Sequence, residues 1–134
     1  MNIENGNLML KNMAFTNVSV KRLFDLPNEV ELSGSFDIHY DEINENEIKV
    51  IINYNASSFK GEIKVDVELQ GTFCTVEVSD KNVKDYLLHV NSIAILFPYL
   101  RSQISIATTQ PGIVPIQVPI VNAVALARAA GFNG

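Results

Sequence analysis

In the first half of the chain the apolar positions recur at every second residue. Val30, Leu32, Phe36, Ile38 and Tyr40 share one parity, while Glu31, Ser33, Ser35, Asp37 and His39 take the other, the pattern of a strand with one wet face. Gly34 interrupts the apolar row, where a bulge or a close approach is expected. Ile48, Val50, Ile52 and Tyr54 repeat the alternation, and Ile63, Val65, Val67 and Leu69 do so against Lys64, Asp66, Glu68 and Gln70. An earlier strand is read from Met13 and Phe15, then Val18 and Val20, and the change of parity at Thr16 and Asn17 predicts a bulge. Beyond Gly71 the parity shifts to Val76 and Val78, so the last strand is expected to bend. Residues 41–47 are polar and acidic, and residues 57–61 carry Gly61; both are short enough for hairpin turns. These features predict a four-stranded antiparallel meander.

At Ser79 and Asp80 the period becomes helical, and either side chain can cap the first free amides. Val83, Leu87, Val90, Ala94, Phe97, Leu100 and Ile104 then recur at three- and four-residue spacing, which predicts a long amphipathic helix. Pro98 lies inside it; a proline there removes one hydrogen bond and crowds the preceding turn at a cost of about 3 kcal/mol, so a kink is expected at residues 95–98. Residues 110–119 hold three prolines and one glycine and predict an extended crossover loop. Asn122 then caps a short alanine-rich helix over residues 123–130, closed by Gly131. Strands followed by helices, without alternation, give an α+β fold, read as a single domain over residues 1–134.

Composition narrows the function classes. Hydrophobic residues are 47% and charged residues 19% of the 134, a globular balance with apolar material to spare. The formal net charge of −5 argues against nucleic acid as a partner, because no cationic stripe is there to displace phosphate counterions. Cys74 is alone, so no internal disulfide can form, and with only His39 and His89 no Cys/His metal cage is available. Residues 1–10 lack a secretory pattern, and the apolar run at residues 93–100 is far short of the roughly 20 residues of a membrane span. A cytoplasmic, soluble protein without membrane insertion is expected. No phosphate-binding glycine loop, HExxH or nucleophile elbow occurs, so neither an enzyme nor a cofactor is expected. His39 and His89 read as solvated, Cys74 as a half-buried small hydrophobe, and the acidic residues Asp41, Glu42, Glu45 and Glu47 as a solvated turn.

The helical half carries a resemblance. Ile95-Leu96-Phe97-Pro98-Tyr99-Leu100-Arg101 is similar to the ILFPYxR core of SecB export chaperones, a string that sets proline between two aromatic residues inside a helix. Pro115-Ile116-Gln117-Val118, Val121-Asn122 and Ala125-Leu126 resemble that family's proline-rich crossover and second helix, and Glu68-Leu69-Gln70-Gly71-Thr72-Phe73 resembles the strand before the first helix. Departures are Ser92-Ile93, where the family often has Cys-Pro, and Ala123, where it has an aromatic residue.

The resemblance implies an ATP-independent holdase that binds unfolded polypeptide. It also implies a homo-oligomer, a tetramer built as a dimer of dimers with the long helices between the dimers. By the same alignment Phe36, Ile38 and Leu126 fall at client-groove positions, with core packing as the competing reading for Phe36 and Ile38. Phe97, Tyr99, Leu100 and Ile104 fall at the oligomer interface. Glu68 matches one acidic position that docks the SecA motor, while the other two that align are Asn17 and Lys21, which implies a weakened patch and a SecB-like branch of which toxin–antitoxin-associated chaperones are one kind. A dedicated chaperone of one client, such as an antitoxin, and an oligomeric adaptor for folded partners are the alternative functions.

Overall fold

The computed structural model describes residues 7–27 and 30–134. The start of the chain, read above for a secretory pattern, lies largely outside them. Four strands come first: β1 (Leu8–Arg22), β2 (Leu32–Asn44), β3 (Glu47–Ser58) and β4 (Ile63–Thr75). A continuous helical stretch follows, composed of α1 (Lys81–Tyr86), a π-helical turn (Leu87–Asn91) and α2 (Ser92–Ala107). After the crossover comes α3 (Ala123–Ala129). The α+β class read from the sequence is the class observed.

All strand pairs are antiparallel, and the spatial order is β1-β4-β3-β2. The meander therefore covers β2 to β4 only. The expected place of β1 beside β2 is corrected: β1 pairs along its length with β4, which is a Greek-key order. Period-two patterning identifies strands and their wet faces, but neighbours are chosen by long-range pairing that the pattern does not encode.

The bulge in β1 occurs where the parity changes: Phe15 faces Leu69 and Asn17 faces Glu68, leaving Thr16 as the extra residue. A second shift separates Leu10 from Asn12. The expected bend of β4 after Gly71 does not occur; Gly71, Phe73 and Thr75 continue its buried parity, and Val76 lies past the strand's end.

The two central strands bury one face completely. Ile48, Val50 and Ile52 from β3 and Val65, Val67, Leu69 and Phe73 from β4 meet Ile93, Leu96, Phe97, Leu100 and Ile104 from α2. Fully burying each such side chain contributes about 1.5–3 kcal/mol of transfer free energy. The helix packs tightly on Gly71, where an added Cβ would lie 2.8 Å from Leu96 Cδ2. The other face of the sheet carries Lys49, Asn53, Asp66, Glu68, Gln70 and Thr72.

Asp80 caps α1 by accepting from the amides of Asn82 and Val83. The departure from regular geometry lies upstream of the expected kink. Helix α2 runs through Pro98, whereas Ser92 N–H donates to Leu87 O, five residues back, in the π turn. That wider turn diverts Leu88 O from its usual amide, and the buried Ser92 hydroxyl donates to it instead. Ser92 at this position is thus explained by a local hydrogen-bond need. Ile93 occupies the buried side where regular spacing put Ala94, and Ala94 and Val83 are exposed.

Candidate functional site

A continuous row of partly open apolar side chains runs along β2. Because β2 is an edge strand, its core-facing row is covered on one flank only, and Leu32, Phe36, Ile38 and Tyr40 are half-buried rather than buried. The Phe36 ring packs against Tyr54, with centroids 4.9 Å apart, and against Phe97 of α2 at 5.2 Å. Phe36 therefore belongs to the rim of the core and still shows surface. Gly34 has the reason anticipated for it, since an added Cβ would lie 2.5 Å from Tyr54 Oη. The Tyr54 ring lies across the glycine.

The far end of the row is tied to the helices. Tyr40 Oη donates to His89 O at 2.6 Å, and burial pushes the Tyr40 phenol well above its ordinary value. His89 is not the solvated residue expected: its ring lies 4.7 Å from Tyr40, stacks on Phe132 at 5.1 Å, and donates from Nδ1 to Asp85 O at 2.8 Å. Sequence reasoning missed this because Phe132 reaches His89 only through the turn after α3, where Gly131 adopts a positive φ and Phe132 N–H returns to Ala127 O. His39, by contrast, is exposed beside Asp41.

The crossover and α3 flank the row. Asn122 caps α3 as read from the sequence, accepting from the amides of Val124 and Ala125. Ala127 is fully buried, while Val124 and Leu126 are half-buried against the same core that Phe36 and Ile38 join. Arg101 Nε donates to Val118 O at 2.9 Å, Thr108 Oγ1 accepts from Ile116 N–H at 2.8 Å, and Arg22 donates to Pro111 O at 2.6 Å. These bonds hold the crossover in place. At the Leu32 end it closes over a cleft of about 380 Å³ of mixed lining, in which Glu31 sits among Leu26, Val30, Leu32, Ile63, Ile113 and Val114. Leu32 and Tyr40 share the parity of Phe36, so they were legible as parts of this row; Ile113 and Val114 had no signal beyond their place in a proline-rich loop.

The other candidates fall elsewhere. Glu68 lies on the opposite, polar face of the sheet, with Asn17 as its cross-strand partner and Lys21 further along opposite Lys64. Thr16 Oγ1, at 2.6 Å, and Gln70 Nε2, at 3.0 Å, both donate to Glu68 Oε1, and these bonds hold the Glu68 carboxyl below its ordinary value. Of the four residues assigned to an oligomer interface, Phe97, Leu100 and Ile104 are buried under the protomer's own sheet. Tyr99 alone is on the surface, 49% exposed, in a stripe with Ile95, Ser102 and Ile106. Among the described residues no cluster of His, Cys, Asp or Glu could hold a metal, and no helix is long and apolar enough to cross a membrane.

Comparison with known proteins gives the family and the fold. The family model described as preprotein translocase subunit SecB matches residues 2–130. The chain belongs to the SecB family. An uncharacterized protein of Methanocaldococcus jannaschii is 31% identical over 123 residues, covering 82% of this chain and 79% of that one. The protein-export protein SecB of Orientia tsutsugamushi (strain Boryong) is 25% identical over 118 residues, covering 84% of this chain and 73% of the relative. Among solved structures, the SecB-like chaperone of Mycobacterium tuberculosis, in complex with a ChAD peptide from the HigA1 antitoxin, superposes with a TM-score of 0.66. That match covers 87% of this chain and 91% of the other at 12% identity, and it shows that the SecB-like fold is shared.

Proposed function

We propose that this SecB-family protein is an ATP-independent holdase that keeps non-native polypeptide from aggregating, with Phe36, Ile38 and Leu126 among its client contacts. The observation that carries the reading is the half-open apolar row of β2, which remains accessible beside the core after the protomer has folded. Removing a client's apolar segments from water there yields about 25 cal/mol per Å² and requires no chemistry. Several such rows in one particle raise avidity, so a long unfolded chain is held while a folded protein, its apolar segments already buried, is ignored. The Orientia relative's export role and the antitoxin peptide on the Mycobacterium chaperone support a polypeptide as the ligand.

The protein acts as a homo-oligomer, a tetramer in this reading, through the exposed stripe Ile95, Tyr99, Ser102 and Ile106. Its four-three-four spacing is that of a helix seam meeting a second helix. Coupling to the SecA motor is weak, because Asn17 and Lys21 supply no carboxylate and Glu68 is occupied by Thr16 and Gln70.

The test is suppression of aggregation of an unrelated denatured protein, with binding followed by calorimetry. Phe36→Asp combined with Leu126→Asp is expected to abolish binding and leave the particle mass unchanged. Unchanged affinity in that variant removes these residues from the site, and failure to hold any unfolded chain removes the holdase.

A further inference from the structure

We propose that Phe132 is a built-in stopper at the Tyr40 end of the apolar row, and that an aromatic side chain of a client displaces it from the face of His89. The proposal rests on the polypeptide-binding reading and adds a contact within the chain that competes with the client.

The platform under the stopper is fixed without it. Tyr40 Oη donates to His89 O at 2.6 Å, which ties the π turn to β2, and His89 Nδ1 donates to Asp85 O at 2.8 Å, which orients the imidazole. Tyr40 lies against that ring at 4.7 Å with the planes tilted by 60°. Phe132 covers it at 5.1 Å with the planes 13° apart. Neither hydrogen bond involves residues 130–134, so the platform persists when Phe132 leaves.

The stopper itself hangs from α3. Ala130 caps that helix, Gly131 follows with a φ of 102°, and the Gly131 and Phe132 amides donate to Arg128 O and Ala127 O, each at 3.0 Å. In this closing turn the second residue past the cap ordinarily rests its side chain on its own helix. Here the helix offers Ala127, a single methyl group already buried, and the Phe132 ring reaches across to His89 instead. Among the described residues the main-chain bonds of this turn all end on α3, and none reaches β2 or the π turn. A cleft of about 390 Å³ opens along the seam, lined by Tyr40, Glu42 and His89 on one side and by Gly131, Phe132 and Asn133 on the other. A seam with such a gap lacks the interlocked contacts of a close-packed interior, so the ring can lift away with little else disrupted.

The same geometry names the competitor. A flat imidazole face stacks a flat ring whichever chain supplies it, and a client lying along the row delivers its side chains beside Tyr40. An aliphatic side chain gains contact there without the stack. Phe132 is thus a ligand supplied by the chain itself, and its ring stack is worth up to about tenfold in an equilibrium constant. A tenfold preference for the seated state leaves roughly one molecule in ten open, and the apparent affinity for a competing ring falls by about that factor.

The probes are two nonapeptides of alternating threonine and valine with lysine at each end, the central valine replaced by phenylalanine in one and by leucine in the other. Their affinity is read by fluorescence polarisation. Phe132→Ser is expected to bind the phenylalanine peptide about three- to tenfold more tightly than the parent does, and the leucine peptide within about twofold of the parent. A residue that merely supported the fold would give weaker binding, not tighter. The protein contains no tryptophan, so Phe132→Trp introduces a single reporter. Its emission is expected to shift to the red at saturation with the phenylalanine peptide, as the indole leaves His89 for water. Unchanged or weaker binding by Phe132→Ser, or equal tightening for both peptides, would overturn the stopper. An emission that stays in place at saturation would do the same, and it decides alone if Phe132→Ser does not fold. If neither peptide nor reduced carboxymethylated α-lactalbumin binds the parent or either variant, the polypeptide-binding reading itself fails and the stopper fails with it.

Discussion

Replacing Leu100 by alanine and, separately, Tyr99 by lysine tests which side of α2 holds the protomer together and which meets another molecule. Leu100 has no exposed surface and lies among Ile93, Leu96, Phe97 and Ile104 beneath the sheet. Truncating it loses the transfer term of the deleted carbons and leaves a cavity in a close-packed interior, so about 3 kcal/mol is expected within the usual range of 2–5. For a chain of this size that corresponds to a fall in Tm of roughly 10 °C. Tyr99 keeps about half its surface in water. Its replacement by lysine should cost the isolated protomer less than about 1 kcal/mol, yet it sets a cation into the stripe with Ile95 and Ile106.

The assay is urea unfolding at two protein concentrations about a hundredfold apart, with light scattering on the eluting particle. Oligomer stability depends on protomer concentration by mass action, and core stability does not. The Leu100→Ala deficit should be equal at both concentrations. The Tyr99→Lys deficit should grow at the higher one and accompany a lower mass. A Leu100→Ala protein within about 1 kcal/mol of the parent would refute the buried assignment of that face. A Tyr99→Lys protein of parental mass and parental concentration dependence would refute the stripe as an interface.

Ser92→Ala leaves Leu88 O without its hydroxyl partner in the π turn and should destabilise by about 1–2 kcal/mol, read from the urea midpoint. Gly34→Ala drives a methyl group onto Tyr54 Oη and should cost about 1–3 kcal/mol, with a change in the near-ultraviolet tyrosine dichroism that reports the displaced ring. Thr16→Val removes a donor from Glu68, so the Glu68 carboxyl, followed by carbon-detected NMR titration, should rise toward its ordinary value of 4.5. The sign follows from linkage. A carboxyl held below its unfolded value contributes stability above about pH 4.5 and loses it as pH falls through the folded value, so the parent should weaken more than Thr16→Val under acid.

Much of the fold was legible because the signals were local. Alternation marked every strand, the parity change at Thr16 marked the bulge, and Asp80, Asn122 and Gly131 marked helix ends through the backbone groups they satisfy or the φ they permit. The candidate site was half legible. The alternation placed Phe36 and Ile38 on the apolar face of their strand, but only the strand order makes that strand an edge and its row a rim. Phe97, Leu100 and Ile104 were assigned to an oligomer interface by family alignment, and within the protomer they lie buried beneath its own sheet, which their large apolar side chains cover. His89 showed no sign of its stacking, since its aromatic neighbours lie 49 residues before it and beyond α3.

By itself the amino-acid order determined the elements, their wet and dry faces and the family, since each is written in the spacing of neighbouring residues or in a short string. Tertiary structure alone decided that β1 docks beside β4, that β2 keeps an open edge, and which of two apolar stripes on α2 is left over. Those outcomes arise from competition among surfaces far apart in the chain for the same partners, and a periodic pattern records that a face is apolar without recording what will cover it.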